Sequence, residues 1–409
     1  MDLNPTPDQQ VFREEVRAWL ADNVPAEPLP PLKSSEELPS YKAWERTLYE
    51  AGYAAISWPK EFGGQDADLM TQAIFAEEYA RLGAPNRINT LGLGLAGPTL
   101  MVHGTKEQQQ QWLPGILSCD DIWCQGFSEP DAGSDLAAIR TSAVLEDDTY
   151  IVNGQKIWTS QGRYGDWIFM LVRTNTDVPK HKGITFLMID MTSEGIEVRN
   201  ITQINNDAGF AEVFFDDVRV PAANVVGGVD NGWGVAMTTL SFERGTGLGS
   251  HVRFQKNLDD LTGIIKARGV QDDPRVRDKL AALHVRNQVF RHNGNRTLTS
   301  ITNGNPVGPE ASLNKLFWST MERDIFETGM DVLGPYAELA DDVLDGVDIP
   351  SWHKHYWYAR AACIYAGTTQ IQKNIIAERV LGLPKEPRPA AATPAGSRST
   401  AAAAAGTDS

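Results

Sequence analysis

The sequence predicts an α+β, multi-domain chain ordered as helices, a compact β region, and helices again. Three observations carry that expectation. Two capping-box patterns and a run of helical periodicity occupy residues 1–121. Short β-rich runs separated by turn signals fill 122–231. Long helical segments then return over 232–383. With 409 residues the chain can bury a large core and hold two or three packed units. The final stretch, 384–409, is rich in Ala, Pro, Ser and Thr and reads as a disordered tail.

Taken in order, Thr6-Pro7-Asp8-Gln9 opens the first helix, with Thr6 as N-cap, Pro7 at N1 and Gln9 as the return partner. Phe12, Val16, Trp19 and Leu20 then share one helical face. A Pro-rich link (25–39) leads to a second helix over about 40–51, ended by Gly52, and a third follows over about 68–82. The Gly-rich apolar stretch 91–102 reads as a buried helix. Thr105-Lys-Glu-Gln108 is a second capping box ahead of Trp112 and Leu113. Beyond it, 122–127, 141–145, 150–152, 167–172, 184–189 and 213–215 read as strands. Asn153-Gly154, Lys182-Gly183 and Glu194-Gly195 are among the turns between them, and such close spacing predicts an antiparallel barrel or sandwich. From Gly232 the helical segments are 258–266, 275–293, 312–333 and 356–380.

Composition narrows the function classes. No window approaches the ~18 uninterrupted apolar residues of a membrane span. Met1 to Pro7 lacks the basic and apolar regions of a signal peptide. Cys119, Cys124 and Cys363 form neither a disulfide framework nor a metal-ligand spacing, so no metal site is expected and a reducing cytoplasm fits. A net charge of -16 argues against nucleic acid or an anionic membrane as partner. An anionic small ligand remains open, since it needs only a local basic or dipolar pocket.

The stretch Trp123–Asp135 concentrates candidate chemistry. A short apolar strand runs into Ser128-Glu-Pro-Asp-Ala-Gly-Ser-Asp135. Pro130 halts any ladder, Gly133 lets a backbone approach a ligand, and Ser128 and Ser134 offer rotatable donors and acceptors. This suits a planar, phosphate-bearing ligand; on composition alone an ordinary solvent loop fits better.

Three motifs together give a sharper reading. Phe127-Ser-Glu-Pro-Asp-Ala-Gly-Ser-Asp135, Asn153-Gly-Gln-Lys-Ile-Trp-Thr-Ser160 and Tyr365-Ala-Gly-Thr-Thr-Gln-Ile-Gln372 lie in the order and at the approximate spacing of one family. Over about residues 5–383 the chain resembles the acyl-CoA dehydrogenases, flavoenzymes that desaturate the α,β bond of an acyl-CoA thioester. The resemblance implies an N-terminal helical domain, a middle antiparallel β-barrel or sandwich and a C-terminal four-helix bundle. It implies FAD as cofactor and an electron-transfer flavoprotein as electron acceptor. Phe127, Ser128 and Gly133 match the loop on the pyrimidine edge of the flavin, where donors stabilise negative charge. Ser134 matches a position near the flavin phosphates and the pantetheine. Trp158 is similar to the tryptophan against the isoalloxazine, and Ser160 to the hydroxyl on flavin N5. Thr368 and Gln370 match residues on the ADP half; Gly367-Thr368 also reads simply as a helix start, and both readings can hold.

The family chemistry needs a carboxylate base. In many members a Glu directly follows the Tyr of the third motif; here Ala366 stands there. Other members place the Glu on the helix after the β-domain, where this chain has Leu240-Ser-Phe-Glu-Arg-Gly245. Glu243 is therefore the expected base, with a structural ion pair as the plain alternative. The Ala366 N–H would polarise the thioester carbonyl. Arg244 would orient the base or the thioester, or else pair with a helix neighbour. The acyl pocket is expected between 91–100, 237–242 and the C-terminal helices, with Gly92, Gly94 and Gly97 leaving room for a bulky or branched chain.

Two motifs through which a second subunit grips FAD in homotetrameric members are degraded. Lys266-Ala-Arg-Gly-Val-Gln-Asp-Asp-Pro274 keeps only Arg268, and Asp331-Val-Leu-Gly-Pro335 has Asp and Pro where Gln and Gly are usual. The expectation is an α2β2 hetero-oligomer with a paralogous chain, resembling the actinobacterial heteromeric members that act on steroid side chains. A homotetramer with altered contacts is the rival. A non-catalytic partner subunit and a flavin oxidase or monooxygenase on the same fold stay open as functions.

Overall fold

A computed structural model of the chain describes residues 5–244, 250–305, 308–339, 344 and 346–385, without the side chains of Glu243, Arg244 and Thr302. The expected tail therefore lies outside the described residues from 386 onward.

The helical opening follows local rules. Helix α1 (Pro7–Asn23) starts on the expected box: Thr6 Oγ1 accepts the Gln9 N–H at 3.2 Å and Gln9 Oε1 accepts the Thr6 N–H at 3.0 Å. Val16 and Leu20 pack on Trp44 and Leu48 of α2 (Leu38–Glu50) and on Phe75 and Tyr79 of α3 (Leu69–Arg81). Helix α2 reaches back into the Pro-rich link, because Pro39 is tolerated in a first turn whose N–H groups have no partner anyway. The stretch 91–102 splits into a π-turn (Gly92–Ala96) and α4 (Gly97–His103). Helix α5 (Lys106–Ser118) carries the second expected capping box, with Thr105 Oγ1 accepting the Gln108 N–H at 3.2 Å.

Eight strands follow. They are β1 (Trp123–Gly126), β2 (Ser142–Glu146), β3 (Thr149–Ser160), β4 (Trp167–Arg173), β5 (Ile184–Asp190), β6 (Ile196–Ile201), β7 (Phe210–Pro221) and β8 (Val225–Val226). They join in the order β6-β7-β3-β2-β4-β5-β8, with β1 beside β4. The sheet is mixed rather than purely antiparallel, since β1 runs parallel to β4 and Ser142 pairs in parallel with Arg173. One face of β4 and β5 presents Phe169, Leu171, Phe186 and Met188 to the helices, against Leu100, Trp112 and Val235. The other face closes on its own strands, Ile168, Met170 and Leu187 meeting Val152, Val213 and Val220. That closure is the barrel-like core expected of the region. β6 escaped notice because Glu197, Arg199 and Asn200 interrupt its apolar residues.

Asn153-Gly154 is not a turn, contrary to expectation. β3 runs straight through it, with a register shift between Val152 and Gly154. Gly154 sits at φ +148, and a Cβ there would lie 2.6 Å from Thr141 Cα. The glycine thus serves a bulge and a close strand approach, which a sequence signal cannot separate from a hairpin. Gly154→Ala is expected to destabilise the fold by about 1–3 kcal/mol or more, read as a lowered thermal midpoint; an unchanged midpoint would show that the bulge relaxes freely.

The last helices are α6 (Gly232–Arg244), α7 (His251–Ala267), α8 (Pro274–Thr302), α9 (Ala311–Leu333), α10 (Ile349–Ala361) and α11 (Thr369–Ile375). Helices α7 to α10 share one core containing Phe254, Leu258, Phe290, Ile325, Phe326 and Trp352. The segment expected as one helix over 356–380 is two, because Ala366 (φ +53) and Gly367 (φ +84) are left-handed and cannot continue an α-helix.

Candidate active site

The first two motifs are physically joined. Strand β1 delivers Phe127 into the core, edge-on to Phe169 and Phe186 at 5.9 and 6.0 Å. Glu129 and Ala132 exchange backbone hydrogen bonds of 3.1 and 3.0 Å, closing a tight turn over Pro130 and Asp131. The Ser128 carbonyl accepts the Ile157 N–H at 2.9 Å. Gly133 and Ser134 are exposed, and a Cβ on Gly133 would meet nothing within 4 Å, so this part of the loop is open.

Two residues without an assigned role in the sequence reading hold this arrangement together. The Glu129 side chain turns under its own loop and accepts the Arg140 N–H at 2.6 Å, the Thr141 N–H at 3.0 Å and Lys156 Nζ at 2.7 Å. Lys156 is fully buried. Burial pushes its ammonium down to about 8, opposed by Glu129. Burial also pushes the Glu129 carboxyl up, but the Lys156 charge and the backbone donors outweigh it and hold it below the usual carboxylate range. Two backbone N–H groups and the ammonium all point at this carboxyl, the donor set of a carboxylate. Both residues stand inside the first two motifs, but nothing in the sequence pairs them.

Just beyond, β3 bulges. The register shifts between Lys156 and Thr159, Trp158 takes φ +59, and its ring stands 55% exposed against the edge of Phe210. Without the bulge Trp158 would share the inward face of Lys156; with it, Thr159 turns in and Trp158 turns out. A tryptophan in a left-handed backbone with half its surface in solvent is a strained arrangement of the kind that collects at binding sites. Ser160 ends the strand, paired with Phe210.

The third motif stands apart. Among the described residues no hydrogen bond or ring contact joins it to the first two; it lies on α9. Cys363 Sγ donates to the Ser319 carbonyl at 3.7 Å, and Lys315 Nζ donates to the Ala362 carbonyl and lies 4.8 Å over the Tyr365 ring. Thr368 caps α11, its side chain accepting the Ile371 N–H at 3.2 Å. Gln370 is exposed, whereas Gln372 is buried and donates to the Ala366 carbonyl at 3.0 Å. That carbonyl is thereby tied back, and no acceptor among the described residues takes the Ala366 N–H. Glu243 and Arg244 end α6, which packs on α4, β5 and α9; their side chains lie outside the described residues.

Residues 6–120 match the acyl-CoA dehydrogenase N-terminal domain, 124–218 the middle domain and 230–381 the C-terminal domain. The chain belongs to the acyl-CoA dehydrogenase family. It is 39% identical over 393 residues to the acyl-CoA dehydrogenase IpdE1 of Mycobacterium tuberculosis, covering 93% of this chain and 99% of that one. Its fold superposes on the Tcur3481-Tcur3483 steroid ACAD with a TM-score of 0.82 at 27% identity, covering 94% of this chain and 100% of that one. The ChsE4-ChsE5 complex from Mycobacterium tuberculosis gives 0.79 at 31%, with 94% and 100% covered.

This acyl-CoA dehydrogenase departs from the sequence expectation at its glycines. A Cβ on Gly92 would strike the Asn89 amide at 2.4 Å and one on Gly97 the Trp58 ring at 2.3 Å, so those two glycines admit neighbouring side chains, not a ligand. Gly94 alone of the three has open space. Helix α9 also carries Glu322, whose side chain is 8% exposed; Oε1 meets Arg253 at 3.2 Å and Oε2 is buried without a partner among the described residues. Burial pushes that carboxyl up, with Arg253 opposing. Nothing in the sequence distinguished it from a surface glutamate.

The two segments read from the sequence as degraded second-subunit motifs make their contacts within the chain. Arg268 Nε donates to the Val332 carbonyl at 3.3 Å, and its guanidinium lies 4.5 Å over the Tyr336 ring. Asp331, expected to repel a phosphate, is paired instead with Lys279 at 2.8 Å.

Proposed function

We propose that this chain catalyses FAD-dependent α,β-dehydrogenation of an acyl-CoA thioester, as the catalytic subunit of a hetero-oligomer. The observation that carries the reading is Trp158, held outward at positive φ by a bulge tied to the Ser128 loop. Such a ring presents a flat apolar wall beside a loop with open donors, and a flavin fits that pairing. Phe127, Ser128, Gly133, Ser134, Trp158 and Ser160 would hold the ring and its near phosphates; Thr368 and Gln370 would meet the ADP half.

When bound, FAD supplies the acceptor for the β-hydride. Glu243 would take the α-proton, leaving the electron pair of that C–H bond to form the Cα–Cβ double bond as the hydride departs. The Ala366 N–H, untaken by any described acceptor, would donate to the thioester carbonyl and stabilise the developing negative charge. Arg244, adjoining the base, would orient it or the thioester. An electron-transfer flavoprotein would be the next acceptor.

The occupied second-subunit motifs support a heteromer. Arg268 stacked on Tyr336 and Asp331 paired with Lys279 leave that face little to offer a pyrophosphate, so a paralogous chain would supply the missing grip. The steroid designation of the Tcur3481-Tcur3483 neighbour, with the open side of Gly94, favours a bulky acyl group. The test is anaerobic mixing of the flavin-loaded protein with straight, branched and steroid-derived CoA thioesters. Bleaching of the flavin with formation of the enoyl-CoA, fastest with a bulky acyl group, is expected. No bleaching with any thioester would sink the dehydrogenase reading, and preference for a short straight chain would sink the acyl assignment.

A further inference from the structure

We infer that the buried Glu129–Lys156 pair is a positioning device that sets the gap between the Ser128 loop and the Trp158 ring. The inference rests on the flavin reading above, since those are the two walls between which a flavin would lie.

Three consecutive loop residues are hooked onto two consecutive strand residues. The Phe127 carbonyl lies 3.5 Å from Lys156 Nζ, the Ser128 carbonyl accepts the Ile157 N–H at 2.9 Å, and the Glu129 carboxylate accepts Lys156 Nζ at 2.7 Å. The next strand residue is Trp158, so the loop is located with respect to the bulge itself. The Glu129 carboxylate also accepts the Arg140 and Thr141 N–H groups, which ties the far end of the loop, where the chain turns into β2, to the same point. One carboxylate therefore references the start of the loop, its exit and the bulged strand to each other.

Stability alone is a poor reason for such a pair. Desolvating an ammonium and a carboxylate offsets most of their attraction, and well-packed apolar residues often replace a buried pair with no loss. Directed hydrogen bonds, unlike apolar contacts, hold groups to a fixed separation and angle. Lys156 is fully buried and Glu129 is 8% exposed, so neither reaches a ligand and both act through the loop and the strand.

The test uses the full chain in whichever form binds FAD, alone or co-expressed with a paralogous chain. Lys156→Met, Glu129→Gln and the double variant are compared with the natural protein in FAD dissociation constant, the position and shape of the visible flavin band, and thermal midpoint. Glu129→Gln keeps an oxygen for the backbone donors and covers the case in which Lys156→Met fails to fold. Each single variant is expected to weaken FAD binding by about tenfold or more, equal to ~1.4 kcal/mol or more of binding free energy. In the double variant no buried charge is left unpaired, so the thermal midpoint should recover toward that of the natural protein. The affinity loss and the shifted flavin band should persist. A folded double variant with unchanged FAD affinity and band would overturn the positioning role, while flavin binding by the natural protein would still stand. Failure of the natural protein to bind flavin at all would instead remove the flavin reading, and this inference with it.

Discussion

Glu243→Gln is expected to lower turnover by about 10²–10⁴-fold, the usual contribution of a positioned general base, while FAD and acyl-CoA still bind. The position that holds the base in many relatives is Ala366, which has no ionisable group. A dehydrogenation that releases an α-proton needs an acceptor for it, and the carboxylate we propose for that role is Glu243, at the end of α6. Glutamine keeps the shape and a carbonyl oxygen but cannot take a proton at neutral pH. Two measurements check this. Stopped-flow mixing with acyl-CoA should show slow bleaching of the flavin, and exchange of the α-proton with deuterated solvent should slow in parallel. Placing a carboxylate at the vacated position, Ala366→Glu in the Glu243→Gln background, should restore part of the rate. Unchanged turnover in Glu243→Gln would transfer the base to another residue and reopen the non-catalytic reading of this chain.

Produced alone, the chain is expected to purify with little flavin, and together with its paralogous partner with two FADs per α2β2 assembly. The physical ground is the state of Arg268 and Asp331. A guanidinium already stacked on Tyr336 and bonded to the Val332 carbonyl, beside a carboxylate paired with Lys279, must give up those contacts before it can hold a pyrophosphate. Pro335 removes an N–H that a phosphate could use. Absorbance ratio and light scattering of the two preparations measure flavin content and assembly together. A yellow, fully flavinated and active homotetramer of this chain alone would refute the heteromer.

Much of the fold was legible because it is encoded locally. The Thr6–Gln9 and Thr105–Gln108 boxes join residues three apart, so the residue types alone announce the helix starts. β4 and β5 are unbroken apolar runs, buried on both faces and bounded by turn signals, so residue types alone mark them as strands. The same locality explains the failures. Asn153-Gly154 has the composition of a hairpin turn, and only the approach of Thr141 makes it a bulge. Gly92 and Gly97 look like room for a ligand until Asn89 and Trp58 are seen to fill it.

What the sequence by itself determined is the order of helical and β regions, the helix caps, and, through three motifs in series, the family and its candidate residues. What only the tertiary structure decided is which of those residues are held together. Lys156 and Glu129 are 27 residues apart and Arg268 and Val332 are 64 apart. Burial, pairing and the outward turn of Trp158 depend on what packs across such separations, and no local pattern of residue types encodes that.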